Sequence, residues 1–466
     1  MKVAFLKPPV GGILGLEMLT FVEPLGPICV AACLEEQGHQ CAVFDLRIDG
    51  EEQGLANCRA FDPDVVGLQC NFTTERNRTL RLAARVKREM PRAFVVAGGH
   101  DASRDPQWFE QNAAEGRSPI DMIAIGDGEE IMPMIVDALA RGRDPHSVPN
   151  PAPMRANLDE YPLPARHLIK HYSNNYYINF RKPLALMETA RGCPFKCNFC
   201  SVWKFHDSTF REKSPERVVK ELQEIDAPNV FITDDIFWMN VRRGEEMARQ
   251  LKAAGIRKFF TVQTRTDIIC KFPHLIEMWK DCGSLAIFLG LEAVTDEGLK
   301  AVNKKNTADN NVRAINILKE LGVGFTPNFI VDPAWDRDDF ARLRDWIDTM
   351  GAYNSGFSIL TPLPGTDLWD SAKEQVVTHD WEMYDIVHAV LPTKLSLEEF
   401  YDEYSRLWRH ALEVRYHYRG KLKTYLQLGA ALATRKVTFG AVRKGMNIAK
   451  VFSNPETFLR AHAGCR

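Results

Sequence analysis

Short apolar runs alternate with amphipathic helical segments along most of this 466-residue chain, and the alternation leaves few ways to fold it. Parallel strands joined by helical crossovers produce that pattern, because each strand is covered on both faces and each return path needs a dozen residues or more. In the first part the runs are KVAFLKPP, CAVFDL, DVVGLQC, AFVVAGG and DMIAIGDGE. PLGPICVAACLEEQGHQ, between the first two, has helical spacing and stops near Gly38. Five strands of this kind predict a doubly wound α/β domain over residues 1–149. Ligands of such sheets bind beyond the carboxyl ends of the strands. Those ends read KPPVGG (Lys7–Gly12), CNFTTE (Cys70–Glu75), GGHDAS (Gly98–Ser103) and GDGEE (Gly126–Glu130). Ordinary βα turns use the same residue types, so no single turn is diagnostic.

NPAPMRANLDEYPLPAR (Asn150–Arg166) is proline-rich and weakly periodic, and it predicts an extended linker over residues 150–180. The alternation then resumes. LALMETA, NVFITDD, FFTVQTR, LAIFLGLE, GFTPNFIVD and GFSILTPLP are six further strand candidates, enough for a partial (β/α)6 barrel over residues 181–369. Functional groups of such barrels sit at the carboxyl ends of the strands. Residues 370–466 read as helical.

Just past the first barrel strand comes ETARGCPFKCNFCSVWKF, with Cys193, Cys197 and Cys200 inside eight residues. The chain has eleven cysteines, and MKVAFLKPPV is too short and strand-like for a secretory signal. A reducing, cytoplasmic setting is therefore expected, where clustered thiols bind metal instead of pairing. Thiolates select zinc and iron–sulfur clusters. Structural zinc takes four closed ligands, and only His206 lies near enough in sequence to supply a fourth. A cubane cluster held by three thiolates instead leaves one iron open to a small chelating ligand.

A Cx3CxΦC motif (Φ aromatic, here Phe199) after the first strand of a partial barrel resembles the radical S-adenosylmethionine (SAM) enzymes, over Leu184 to Trp369. The resemblance implies that Cys193, Cys197 and Cys200 hold a [4Fe-4S] cluster whose open iron binds SAM. One electron then cleaves SAM to methionine and a 5′-deoxyadenosyl radical. ITDDIF, TRTDII and FLGLEAVTDEGLKAVNKK resemble later strand-end motifs. They imply Asp234 and Asp235 near the cofactor, Arg265 at the SAM carboxylate and Glu292 at its ribose. FIVDPAWD departs from the Gly-x-Pro of many relatives at the fifth strand end.

The N-terminal domain, with EPLG, GGHDAS and GDGEE, resembles the Rossmann-like cobalamin-binding domain of the class B radical enzymes. That likeness implies cobalamin, in its methyl form, without a histidine on its lower face, since Asp-x-His-x-x-Gly is absent. Cys70, Asn71 and Thr73 would lie near that face, Gly98 and Gly99 beside the nucleotide tail, and Gly126, Gly128 and Glu129 at the neighbouring turn.

The two cofactors together imply methyl transfer to an unactivated sp3 carbon, with a non-methylating cyclisation or ring contraction as the alternative within the same architecture. A cobalamin sensor or zinc scaffold is the non-enzymatic alternative. GCPFKCNFCSVWKF, FIVDPAWDRDDF and GFSILTPLPGT as a set resemble the hopanoid C-3 methylases, which implies a lipid or polycyclic substrate. An electron donor of flavodoxin or ferredoxin type is expected. A formal net charge of −2 gives no field aimed at nucleic acid. Arg415, Arg419, Lys421, Lys423, Arg435, Lys436, Arg443, Lys444 and Lys450 form a basic stretch offset by Glu413, suited to peripheral contact with an anionic membrane.

Overall fold

The computed structural model describes residues 1–9, 12, 20–112, 119–179, 181–418 and 449–463, without the side chains of 413–418. Most of the basic stretch (Arg419, Lys421, Lys423, Arg435, Lys436, Arg443 and Lys444) lies outside the described residues. Among the described residues no helix is long and apolar enough to cross a membrane.

All five N-terminal runs form strands: β1 (Lys2–Lys7), β2 (Gln40–Asp45), β3 (Val65–Gln69), β4 (Phe94–Gly98) and β5 (Met122–Ala124). They lie in the order β2-β1-β3-β4-β5, with every pairing parallel. The order reverses beside β1, as a doubly wound sheet requires. Helix α1 (Leu25–Glu36) and α3 (Gly128–Ala140) cover one face, and α2 (Arg76–Glu89) packs on the other. Val3 and Phe5 point to the first face and Ala4 and Leu6 to the second, so a run without polar alternation is buried on both sides.

The second sheet contains β6 (Leu184–Met187), β7 (Asn229–Ile232), β8 (Lys258–Thr264), β9 (Gly283–Glu292), β10 (Gly324–Val331) and β11 (Gly356–Ile359). They are parallel and stand in sequence order, which makes an open half-barrel. Outward-facing Val230, Phe260, Ile287 and Phe329 pack under helices α4 (Pro215–Glu224), α5 (Val241–Ala253), α6 (Pro273–Asp281), α7 (Ala308–Glu320) and α8 (Arg337–Met350). Trp279 of α6 is fully buried, with the Phe237 and Phe260 rings edge-on to it at 4.9 and 5.3 Å.

The open edge at β6 is covered. The Leu186 N–H donates to Glu23 of the EPLG turn at 2.8 Å, and Arg166 donates to the Leu186 carbonyl at 2.7 Å. An uncovered edge would invite pairing with another chain. The stretch expected to be a linker is therefore a packed strap: Leu158, Tyr161, Ala165, Ile169, Tyr172 and Tyr176 are all buried. Its apolar residues outweigh the prolines that make it look extended.

A second strap follows the barrel. The Ile359 N–H at the end of β11 donates to the Ile386 carbonyl at 2.6 Å, and Trp381 lies over the Arg76 guanidinium at 4.7 Å. Glu382 accepts from Arg78 at 2.9 Å and from the Gly12 N–H at 2.9 Å. Helices α9 (Leu397–Tyr418) and α10 (Pro455–Ala463) close the barrel side.

Candidate functional site

The cysteine loop leaves β6 through Glu188, Thr189 and a two-residue strand, Ala190–Arg191. Asp234, at the end of β7, fixes that exit. Its two carboxylate oxygens accept the Thr189 N–H and hydroxyl, each at 2.5 Å. Burial raises its pKa to about 6. Asp235 accepts the Gly192 N–H at 3.1 Å, and burial raises its pKa to about 7. Gly192 has φ +91°, and a Cβ there would stand 2.2 Å from the Thr209 carbonyl, so only glycine fits before Cys193.

Neighbours hold the loop in place. Asn198 donates through its side chain to the Ala301 carbonyl at 3.0 Å, and its carbonyl accepts the Leu368 N–H at 2.9 Å. The Trp203 indole donates to the Cys197 carbonyl at 3.2 Å. Cys193, Cys197 and Cys200 feel one another electrostatically, together with Asp235, Arg265, Glu292 and Lys304. Burial pushes all three thiols up, Cys200 to about 12, while the N–H groups of Phe195 and Val202 favour the thiolates of Cys193 and Cys200.

This donor set suits a cluster. Among the described residues, Cys41, Cys70, Cys270 and Cys282 donate hydrogen bonds from sulfur, whereas the three loop cysteines do not. Among the same residues no three His, Cys, Asp or Glu side chains converge on a single ion. His206 is committed elsewhere: its Nδ1 meets Arg211 at 3.2 Å. A Cys3His zinc site therefore has no geometric support.

Arg265 and Glu292 stand on neighbouring strand ends beside the loop. The Arg265 guanidinium stacks 3.7 Å over the Phe195 ring, donates to Asp267 at 2.9 Å and also reaches the Lys305 carbonyl. Glu292 follows a bulge in β9 and has φ +63°, a strained conformation for a non-glycine residue. Lys304 pairs with it at 2.7 Å. A Cβ at Gly290 would lie 2.5 Å from the Glu292 Oε1, so the glycine makes room for that carboxylate. Phe195, Lys304 and Thr189 escaped the sequence reading. Lys304 sits within the quoted fourth-strand stretch, twelve residues past Glu292, but no periodicity marks it. Phe199 is half-buried, and the recorded ring contact belongs to Phe195 instead.

The N-terminal rim is built differently. Glu75 accepts the Asn71 and Phe72 N–H groups at 2.8 and 3.3 Å and pairs with Lys7 at 2.6 Å, which locks the CNFTTE turn. Thr73 donates to Asp101 at 2.8 Å, and Cys70 is buried. The side chain left projecting is Phe72, 58% exposed. Gly99 has φ +115°, and a Cβ there would lie 2.4 Å from the Asn71 Oδ1. Gly98 ends β4, with its carbonyl accepting the Cys70 N–H at 2.8 Å; Ser103 Oγ receives the Gly126 N–H at 3.2 Å. Gln69 Oε1 is buried at the same rim with no hydrogen-bond partner, an acceptor suited to an amide-bearing ligand. The GDGEE turn faces the barrel. Gly128 lies close under Val30, and Glu129 is paired with Arg191 at 2.5 Å.

Residues 11–136 match the model of the B12 binding domain, and residues 187–347 match that of the radical SAM superfamily. The hopanoid C-3 methylase of Methylococcus capsulatus is 33% identical, over 99% of this chain and 89% of its own length. An anaerobic magnesium-protoporphyrin IX monomethyl ester cyclase of Rubrivivax gelatinosus is 27% identical, over 92% of this chain and 83% of its own. The solved cobalamin-dependent SAM radical enzyme OxsB shares the fold, with a TM-score of 0.65 at 14% identity, covering 99% of this chain and 80% of that one. This chain belongs to the cobalamin-dependent radical SAM enzymes. Within them it is a methyltransferase, using a [4Fe-4S] cluster, SAM and cobalamin.

Proposed function

We propose that the chain methylates an sp3 carbon of a polycyclic hydrocarbon lipid, a hopanoid at ring position C-3. The observation that carries this reading is 33% identity to a hopanoid C-3 methylase along 99% of the chain. Cys193, Cys197 and Cys200 hold the cluster within residues 181–369, and residues 1–149 hold cobalamin. When bound, the cluster provides one electron for SAM cleavage and cobalamin provides the methyl group that replaces hydrogen on carbon.

The protein's part is placement. Arg265, already fixed by Asp267, the Lys305 carbonyl and Phe195 through its Nε, Nη2 and ring-stacked face, offers its Nη1 donors to the SAM carboxylate. Glu292, thrust forward by its left-handed backbone and steered by Lys304, accepts the ribose hydroxyls. Asp235 fixes the start of the loop, and Asp234 acts one layer behind it. On the N-terminal rim, Phe72, Asn71, Gln69, Gly98, Gly99 and Gly126 would hold cobalamin, Phe72 through its exposed ring, Gln69 through its unpartnered acceptor and the glycines through open backbone. A one-electron donor of flavodoxin or ferredoxin type suits exposed Lys196, Lys300 and Lys305 near the loop. The basic stretch from Arg415 to Lys450 suits docking on anionic lipid, where such a substrate resides.

Anaerobic incubation of the reconstituted chain with a hopanoid lipid and SAM bearing a deuterated methyl group tests the reading. The expected product is one deuteriomethyl group heavier. Deoxyadenosine formed without that product would favour a cyclase-like reaction.

A further inference from the structure

Two turns of the N-terminal rim, GGHDAS and GDGEE, do not simply open onto a ligand. They grip the cysteine loop at its two ends. Arg191, two residues before Cys193, is clasped by Glu129 (Nη2 to Oε1, 2.5 Å), Asp127 (Nη1 to Oδ1, 3.3 Å) and Glu188 (Nε to Oε2, 2.7 Å). Asp127 also accepts from Arg211 at 2.7 Å, and Arg211 lies on the two-residue strand paired with Ala190–Arg191. Beyond Cys200, the Ser201 hydroxyl meets His100 Nε2 at 2.6 Å, and the Ser201 carbonyl accepts from Arg104 Nη1 at 2.6 Å. The His100 ring packs on Phe205 at 4.6 Å. A Cβ at Gly365, past the last barrel strand, would lie 2.1 Å from Arg104 Nη2, so the same guanidinium also seats against the barrel rim.

Apolar side chains of similar volume could hold two domains together at least as stably as these desolvated ions. What forked guanidiniums add is a fixed distance and angle. The loop between the two grips contains Cys193, Cys197 and Cys200. We propose that Arg191 and Arg104 are positioning residues that set the separation between the cysteine loop and the cobalamin-binding rim, and so couple SAM cleavage to methyl delivery. This rests on the cofactor assignment proposed above. A misplacement of about 1 Å at a reacting centre costs on the order of a hundredfold in rate, so the clamps need only small play to uncouple the two events.

The test uses the full chain, reconstituted and reduced, with Glu129→Gln and Arg104→Met as variants. Iron and cobalamin contents are measured first. A parent chain that binds neither overturns the cofactor assignment itself, independently of the clamps. In loaded protein, the dipolar broadening of the cobalt(II) EPR signal by the reduced cluster reports their separation without any turnover. The expected result is full cofactor loading and continued deoxyadenosine formation, with weaker or heterogeneous broadening. Methylated hopanoid per deoxyadenosine should fall about ten- to a hundredfold. Unchanged broadening and an unchanged product ratio in both loaded variants would overturn the proposal. If either variant loses its cofactors or fails to fold, Glu129→Asp, which shortens the reach, and Arg104→Lys, which replaces the planar guanidinium by a single ammonium, keep the charges and decide by the same readout.

Discussion

The two sheets present two rims, and their side chains are used in opposite ways. On the barrel rim the motif residues share one neighbourhood: three thiols without hydrogen-bonded acceptors, each within the electrostatic reach of Asp235, Arg265 or Glu292. On the N-terminal rim most polar side chains singled out by motif are already satisfied by protein. Thr73 is spent on Asp101 and Glu129 on Arg191, and what remains outward is Phe72 with the orphaned Gln69 acceptor. The barrel rim is thus furnished for chemistry. The other rim offers a surface and glycine backbone, and puts its charges into holding the domains together.

The largest effect follows from the barrel rim. Cys197→Ala should abolish iron uptake, visible charge-transfer absorption and deoxyadenosine formation, while the urea midpoint of the metal-free chain stays near the parent's. A comparable loss of stability would blur the contrast.

Arg76 tests the other side. It is fully buried, pairs with Asp101 at 2.7 Å and Asp105 at 2.9 Å, and lies against both the Trp108 and Trp381 rings. Arg76→Ala should destabilise the chain by about 3–5 kcal/mol, because the buried Asp101 carboxylate loses its partner and the half-buried Asp105 loses its own. Chemical denaturation measures this, and iron binding per folded molecule should not change.

His100 gives the rim a pH signature. Burial first, then Arg104 and His206, hold its folded pKa down near 3, against 6.5 for a free imidazole. The unfolded chain takes up the proton at higher pH than the folded one. Its stabilising contribution is therefore complete above pH 6.5 and is lost as pH falls toward 3. Between pH 6.5 and 4 the parent should lose about 2–3 kcal/mol that His100→Gln does not lose. Parallel stability curves for the two would remove His100 from the account.

The smallest effect sharpens the barrel side. Asn tolerates the left-handed conformation better than Glu but leaves the largely buried Lys304 without its carboxylate, so the two effects of Glu292→Asn oppose each other and stability should stay within about 1 kcal/mol of the parent's. The same change should weaken SAM binding about tenfold, the scale of one lost charged hydrogen bond. Calorimetry for binding and thermal unfolding for stability separate the two. Unweakened binding would mean that the strained Glu292 is not held there for SAM.

The strands were legible because short apolar runs, buried on both faces in the N-terminal sheet and on alternate residues in much of the barrel, recur between helical segments, and all eleven runs became strands. The cysteine loop was legible because its spacing is local. The destinations of Asp234, Glu129 and His100 were not, since each meets a partner 45, 62 or 101 residues away, and composition does not encode such pairings. The proline-rich strap misled for the same reason: proline content reports backbone stiffness, whereas Tyr161, Tyr172 and Tyr176 found an interior to enter only once both sheets existed.

The sequence alone determined the two α/β sheets, the three thiols and hence the class of chemistry, because strand burial and ligand spacing are properties of neighbouring residues. Only the tertiary structure decided which acids stand at the cysteine loop and which clasp Arg191 and Arg76. A buried charge is settled by whatever counter-charge the fold brings within hydrogen-bond reach, and that partner is chosen in space, not along the chain.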